Sequence, residues 1–305
     1  MHPIVTIRLT SKSTALRLLQ QWGMAPKAQW KGAAPLFWAF AGIALLFAFG
    51  SFLAVLVRTW LGDPEFSYGL LLPLIVALLI WRRRDRLRKE ELSAWLPGLW
   101  ILVAGCALQV LGSMSGSLLL SGIAFATAVI GITGFLWGRE RLRVVSGPLA
   151  LLILMVPLPS YMVGELSWHL QAAASTVSGT VLGFLGVPVY QDGNLLRLSN
   201  YVLEVKQACS GSRSIFALLA LACVLGVSSE RKWWIRVLLV AAAPVLAVGA
   251  NVVRIVGTGL IASEWGDLAA NESLHAAWGI LVFVIAVLGL LGLQRLFQWT
   301  THEPA

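Results

Sequence analysis

Eight long apolar runs, separated by short clusters rich in Lys and Arg, leave this chain few folds to adopt. They occupy 33–57, 66–81, 95–112, 117–137, 144–158, 209–227, 234–262 and 275–297, the second and fifth being short. A helix needs roughly 20 apolar residues to cross a hydrocarbon layer about 30 Å thick. Inside that layer no water satisfies the peptide groups, so each crossing must be a helix or part of a closed barrel. With 58% hydrophobic and 12% charged residues, the sequence is far from a soluble domain, where about 25% of residues are charged. The expectation is an all-α polytopic membrane protein of about eight transmembrane helices. Residues 1–32 form a basic tail, 33–298 a single transmembrane domain, and 299–305 a short C-terminal tail. The first run exceeds the roughly 7–15 apolar residues of a signal peptide, so it reads as a permanent anchor.

The positions of the basic residues orient the chain. Of 23 Lys and Arg, all but Arg58, Arg197, Lys206, Arg213 and Arg254 fall on one side of an eight-span arrangement. They cluster in the tail, at 82–89, at 139–143, at 231–236 and at Arg295. Positive charge stays cytoplasmic, so both termini are expected inside. A basic excess confined to short loops is a topology signal and argues against nucleic acid as a partner. The outer face then receives 58–65, 113–116, 159–208 and 263–274. Within 159–208, residues 161–186 read as a helix lying in the interface or re-entering the bilayer. Residues 187–206 read as β, with an Asp192-Gly193 turn and a Ser199-Asn200 turn. A small extracytoplasmic hairpin would thus precede the sixth run and lead into Cys209.

Three polar residues meet the ends of the last three runs at this outer face. Cys209 lies in Ala208-Cys209-Ser210-Gly211-Ser212-Arg213, a strand-to-helix junction. There, free helix N–H groups and the dipole favour a thiolate, and Arg213 adds positive charge. The same N–H groups suit a developing oxyanion. A lone interfacial cysteine is ordinarily a small hydrophobe, and Cys106 and Cys223, both mid-run, keep that reading. Arg254 lies about eight residues from the outer end of its run, where an arginine costs roughly 2.5–3.5 kcal/mol unless it faces a partner or a cavity. Asn251, three residues earlier on the same helix face, is placed to hold it. His275 opens the last run, and an imidazole is the side chain suited to act as acid and base in cysteine chemistry. His169 is a weaker alternative. Haem ligation by His169 and His275 is disfavoured because neither is mid-span, and three cysteines at different depths have no metal-site spacing.

The outer-face blocks Ala208-Cys209-Ser210-Gly211, Asn251-Val252-Val253-Arg254-Ile255 and His275-Ala276-Ala277-Trp278-Gly279 resemble the signature blocks of the exosortase/archaeosortase family of polytopic membrane cysteine transpeptidases. An earlier block, Pro64-Glu65-Phe66-Ser67-Tyr68-Gly69, is similar to that family's N-terminal region. The resemblance covers roughly residues 35–297, in order. Ser212 stands where the family usually has an aliphatic residue, and Tyr68 where a His is common. The resemblance implies an enzyme, a cysteine peptidase or transpeptidase without cofactor or metal, that reads a C-terminal sorting signal on exported proteins. That signal comprises a short motif (Pro-Glu-Pro in the archetype), an apolar helix and a basic cluster. It further implies Cys209 as the nucleophile, His275 as general acid and base, and Arg254 as stabiliser of the oxyanion or thiolate. Asn251, Arg213, Ser210 and Gly211 would support them, and Glu65, Ser67 and Tyr68 would contact substrate. The partners would be the sorting-signal helix, membrane lipid and an acceptor nucleophile of undetermined identity. The competing readings are a transporter, against which no inverted repeat is visible, and a non-catalytic subunit of envelope polysaccharide assembly.

Overall fold

A computed structural model describes residues 34–199, 201–205, 211–229, 233–266 and 272–300, with side chains at 40–266 and 276–297 within those ranges. The chain divides into two compact units, Met1–Phe47 and Ala48–Ala305. In the first, the described part is the opening of helix α1 (Ala34–Gly62). Everything below concerns the second.

After α1 come a 3-10 turn (Ser67–Leu70), α2 (Leu72–Arg82), α3 (Arg84–Lys89), α4 (Leu96–Ser115) and α5 (Leu118–Ala150). A second 3-10 segment (Leu151–Met155), α6 (Ser160–Phe184) and strands β1 (Val189–Asp192), β2 (Leu195–Leu198) and β3 (Val202–Glu204) follow. The chain closes with α7 (Ser212–Ser228), α8 (Trp233–Trp265) and α9 (Glu272–Thr300). All eight apolar runs are thus largely helical, as expected of an all-α polytopic protein. Five stretches among the described residues are long and apolar enough to cross a membrane: Phe40–Gly62, Leu96–Ser115, Leu118–Met155, Trp233–Trp265 and Ala276–Phe297. That is fewer than the eight expected. The runs at 66–81 and 209–227 form the shorter apolar helices Ser67–Arg82 and Ser212–Ser228, and those at 117–137 and 144–158 are joined in one stretch.

That joined stretch does not run straight. Thirty-eight residues would extend about 57 Å as one helix, nearly twice the hydrocarbon thickness. Instead Gly138, with φ 85° and ψ 170°, sits in a region open almost only to glycine. A Cβ on Gly134 would meet Leu142, and one on Gly122 would strike Val156, so the two arms lie antiparallel about Gly138. A Cβ at Gly138 itself would collide with the Ser93 carbonyl.

Glycines also bring α4 against the first arm of α5. Gly98 faces the backbone of Gly131 and Phe135, Gly105 faces Ala128, and Gly112 faces Ser121, with no room for a Cβ at any of the three. Their spacing of seven keeps them on one helix face, and small residues allow the close backbone approach on which packing in lipid depends. The α8/α9 pair is likewise antiparallel: Gly257 lies under Trp278, Gly279 beside Arg254, Gly289 beside Leu246, and Trp234 against Phe297.

Side-chain caps mark the two ends of this bundle. At one end, Arg83 donates to the carbonyls of Val144 and Val227, each at 2.7 Å. Pro148 has no N–H to offer Val144 four residues back, and Val227 is in the last turn of α7, so the guanidinium satisfies two carbonyls that helix geometry leaves open. Arg141 donates to the Glu90 carbonyl at the same end. At the other end, the Trp60 indole N–H donates to the carbonyl of Met155, which closes the second 3-10 segment (2.9 Å, buried). Among the described residues, the basic segments 82–89 and 139–143 therefore lie at one end and the loop with Asp63 and Glu65 at the other.

The insertion before the sixth run contains the expected helix and sheet. The sheet is an antiparallel meander, β1-β2-β3, with Asp192 opposite Leu195 and Leu195 opposite Glu204. Its first turn is Gly193-Asn194, one residue later than the expected Asp192-Gly193, and Gly193 supplies the positive φ of 59°. Leu196 and Val205 are buried with Ala174, Leu182, Ile255 and Val256, which binds the sheet to α6 and α8. Val163, in the first turn of α6, lines a cleft with Asp63 and Glu65, while Leu182 near its other end meets Gly259 of α8. Both ends of α6 thus belong to the end of the bundle opposite Arg83, as a helix lying along that end requires. Gly138→Ala is expected to destabilise the protein by about 1–3 kcal/mol, whereas Gly164→Ala, where a Cβ meets nothing within 4 Å, should not. Thermal unfolding of the two variants in detergent compares them directly.

Candidate active site

The junction entering α7 is the centre of the candidate site. Val205, which ends the sheet, is buried against Ile255 and Val256 of α8. Gly211, at the N-cap of α7 with φ 87°, is packed so closely on Asn251 that a Cβ would lie 3.1 Å from its Cγ. Residues 206–210, and with them Cys209 and Ser210, lie outside the described residues. Those on either side, Val205 and Gly211, both rest on α8.

Gly211 offers α7 no side-chain cap. The next residue supplies a different tie: Ser212 Oγ, 1% exposed, donates to Glu65 Oε1 at 2.8 Å across 147 positions of sequence. A carboxylate at the start of a helix also meets the positive end of its dipole. Asp63 orders the loop carrying Glu65 by accepting from the Glu65 N–H (2.9 Å), and Phe66 stacks on Phe216 of α7 at 5.9 Å. Gly69 leaves space for the Trp60 indole. Ser67 is exposed and donates to the Pro64 carbonyl, and Tyr68 is half-buried in the 3-10 turn. The Pro64–Gly69 block therefore clamps the start of α7.

The remaining two blocks meet across α8 and α9. The Arg254 side chain runs beside Gly279, where a Cβ would be 3.6 Å from both Cδ and a terminal nitrogen. The Trp278 indole covers Gly257 and donates to the Arg254 carbonyl at 3.1 Å. Arg254 lies one turn beyond Asn251 and about 31 Å along the helix from Trp233. That is close to a full hydrocarbon thickness, so it stands near the level at which α7 begins. Its side chain is half-buried, with Gly279 and Trp278 of α9 beside it. His275 is in the first turn of α9, one turn before Gly279, and only its backbone is described. Arg213 is exposed in the first turn of α7, and His169 is exposed on α6.

Glu65, Gly211, Asn251 and Arg254 of the expected set are thus drawn to one region, with Ser67, Tyr68 and Arg213 at its margin. Sequence reasoning passed over two contributors. Ser212 was legible only as a departure from a family pattern, and the Trp278 contact depends on helix register. Among the described residues no group of His, Cys, Asp and Glu is arranged to hold a metal.

A cleft of about 440 Å³ opens next to the Glu65–Ser212 contact. Its walls come from Thr59 to Phe66, from Gly116 to Leu119 and from Pro157 to Val163. Ser212→Ala should cost about 1.5–3 kcal/mol, the range for a hydrogen bond to a charged group. A double-mutant cycle with Glu65→Ala, followed by unfolding in detergent, should return a coupling of similar size.

Comparison with known proteins completes the description. No curated protein and no solved structure matches the chain. A family model described as transmembrane exosortase matches residues 60–292, well over half of the sequence and all four motif blocks. The chain belongs to the transmembrane exosortase family, a family of membrane cysteine peptidases and transpeptidases.

Proposed function

We propose that this protein is a membrane cysteine transpeptidase that cleaves the C-terminal sorting signal of exported proteins and passes them to an acceptor through a thioester. The observation that carries the reading is the convergence of separate blocks: Gly211 on Asn251, Ser212 on Glu65, and Arg254 on Gly279. Cys209 is two residues from Gly211, and consecutive Cα atoms are 3.8 Å apart, so its Cα is within about 7.6 Å of that glycine's. His275 is one turn from Gly279.

In the proposed reaction the Cys209 thiolate attacks the carbonyl carbon of the scissile peptide bond. The tetrahedral intermediate collapses to a thioester, and the released amine takes a proton from His275. His275 then accepts a proton from the incoming nucleophile, which displaces the thiolate. Arg254, with Asn251 on the same face, stabilises the oxyanion or the thiolate, and the α7 N-terminus adds its N–H groups. The Pro64–Gly69 block contacts the substrate near the motif. A substrate helix with a basic cytoplasmic end would present its motif at the outer end of the bundle, which supports an extracytoplasmic site in a bacterial inner membrane.

Cys209→Ala is expected to lower processing by about 1,000-fold or more, as loss of a nucleophile does. Uncleaved substrate should accumulate while the protein level stays normal. A transporter or assembly subunit would leave processing unchanged. A membrane-impermeant maleimide should modify Cys209 from outside intact cells, and modification from the cytoplasmic side alone would overturn the orientation.

A further inference from the structure

The cleft beside Glu65 has a chemistry that the reaction above does not use. Its volume, about 440 Å³, is that of a small-ligand site. Asp63 and Glu65 supply its charge, and among the described residues lining it there is no Lys, Arg or His. Apolar walls at Phe66, Leu118, Leu119, Pro157, Leu158 and Pro159 stand beside the hydroxyl residues Thr59, Ser117 and Ser160. Two carboxylates beside apolar walls match a side chain with an apolar stem and a cationic head, which describes Lys and Arg. A glutamate, as in a Pro-Glu-Pro motif, would meet two like charges there.

The Glu65 carboxylate is held in place. Its partner Ser212 is buried in the first turn of α7 and donates to Oε1 at 2.8 Å, which fixes the carboxylate against the start of that helix. We propose that the cleft is a specificity subsite that takes a Lys or Arg side chain of the exported substrate, close to its sorting motif, with Glu65 as the determining residue. The proposal rests on the transpeptidase reading above.

The test uses the full-length protein in lipid nanodiscs. The probes are fluorescent synthetic peptides carrying a Pro-Glu-Pro motif, an apolar helix and a basic cluster, with Lys, Gln or Glu placed in turn at each of the three positions flanking the motif on either side. At one position Lys should lower KM about tenfold relative to Glu. The preference should shrink to about twofold or less in Glu65→Gln, invert in Glu65→Lys, and weaken in Ser212→Val. The absence of any charge preference in the unaltered protein, or its persistence in Glu65→Gln, overturns the proposal. So does a Glu65→Gln effect confined to the partition between hydrolysis and transfer to added glycinamide, which would assign the cleft to the acceptor. If the Glu65 variants fail to fold, the peptide scan on the unaltered protein and on Asp63→Asn decides, since both carboxylates contribute. Binding of the same peptides to Cys209→Ala, read by fluorescence anisotropy, should keep the Lys preference. Cleavage by Cys209→Ala would sink the catalytic reading, whereas loss of the preference in binding would sink the subsite.

Discussion

Close approach of main chains at glycine is the contact on which the rest of this structure depends. Lipid offers helices no hydrophobic reason to associate, because a leucine is as content among acyl chains as against another helix. Association must come from dense packing and from polar ties, and both require backbones to come near. Gly98, Gly105 and Gly112 do this for α4 and α5, while Gly257 makes room for the Trp278 ring between α8 and α9. The candidate site repeats the device. Gly211 lets the start of α7 settle on Asn251, and Gly279 gives the Arg254 side chain a corridor along α9. A methyl group at Gly211 would be strained by the φ of 87° and would press on the Asn251 side chain at 3.1 Å.

Polar ties then fix which helices meet. Arg83 draws α2, α5 and α7 together by filling carbonyls left open by Pro148 and by a helix end. The Ser212–Glu65 bond does the corresponding work at the other end, where a glycine N-cap leaves α7 without a cap of its own. An unpaired polar group is most expensive where water is excluded, so these few contacts select the arrangement more strongly than any equal number of surface contacts would.

Much of this was legible beforehand because its causes are local. Apolar runs cannot avoid helicity in a bilayer, and the alternation at 187–206 bounded by Asp-Gly and Ser-Asn could hardly be other than strands. The Gly211 and Asn251 ends of two motif blocks do meet, in keeping with their expected common face. The number of helices long enough to cross was less legible. The break inside Leu118–Met155 was legible, because the charged run Arg139-Glu140-Arg141-Leu142-Arg143 directly follows Gly138; what the residue string does not display is the Gly138 backbone conformation that turns the chain there. The hairpin turn slipped by one residue for a similar reason: Gly193 had to take the positive φ, and register with β2 settled which pair of residues closed it.

By itself the sequence determined the class, a polytopic helical protein, and it supplied the orientation and the trio Cys209, Arg254 and His275 as expectations. Hydropathy and charge act residue by residue, and a linear reading captures them. The tertiary structure alone decided that Glu65, 147 positions away, reaches the first turn of α7, that Trp278 covers Gly257, and that an acidic cleft opens beside them. Those facts depend on the order and register in which helices pack. That order is set by where two surfaces fit without a gap, a property of pairs of helices and of no single one.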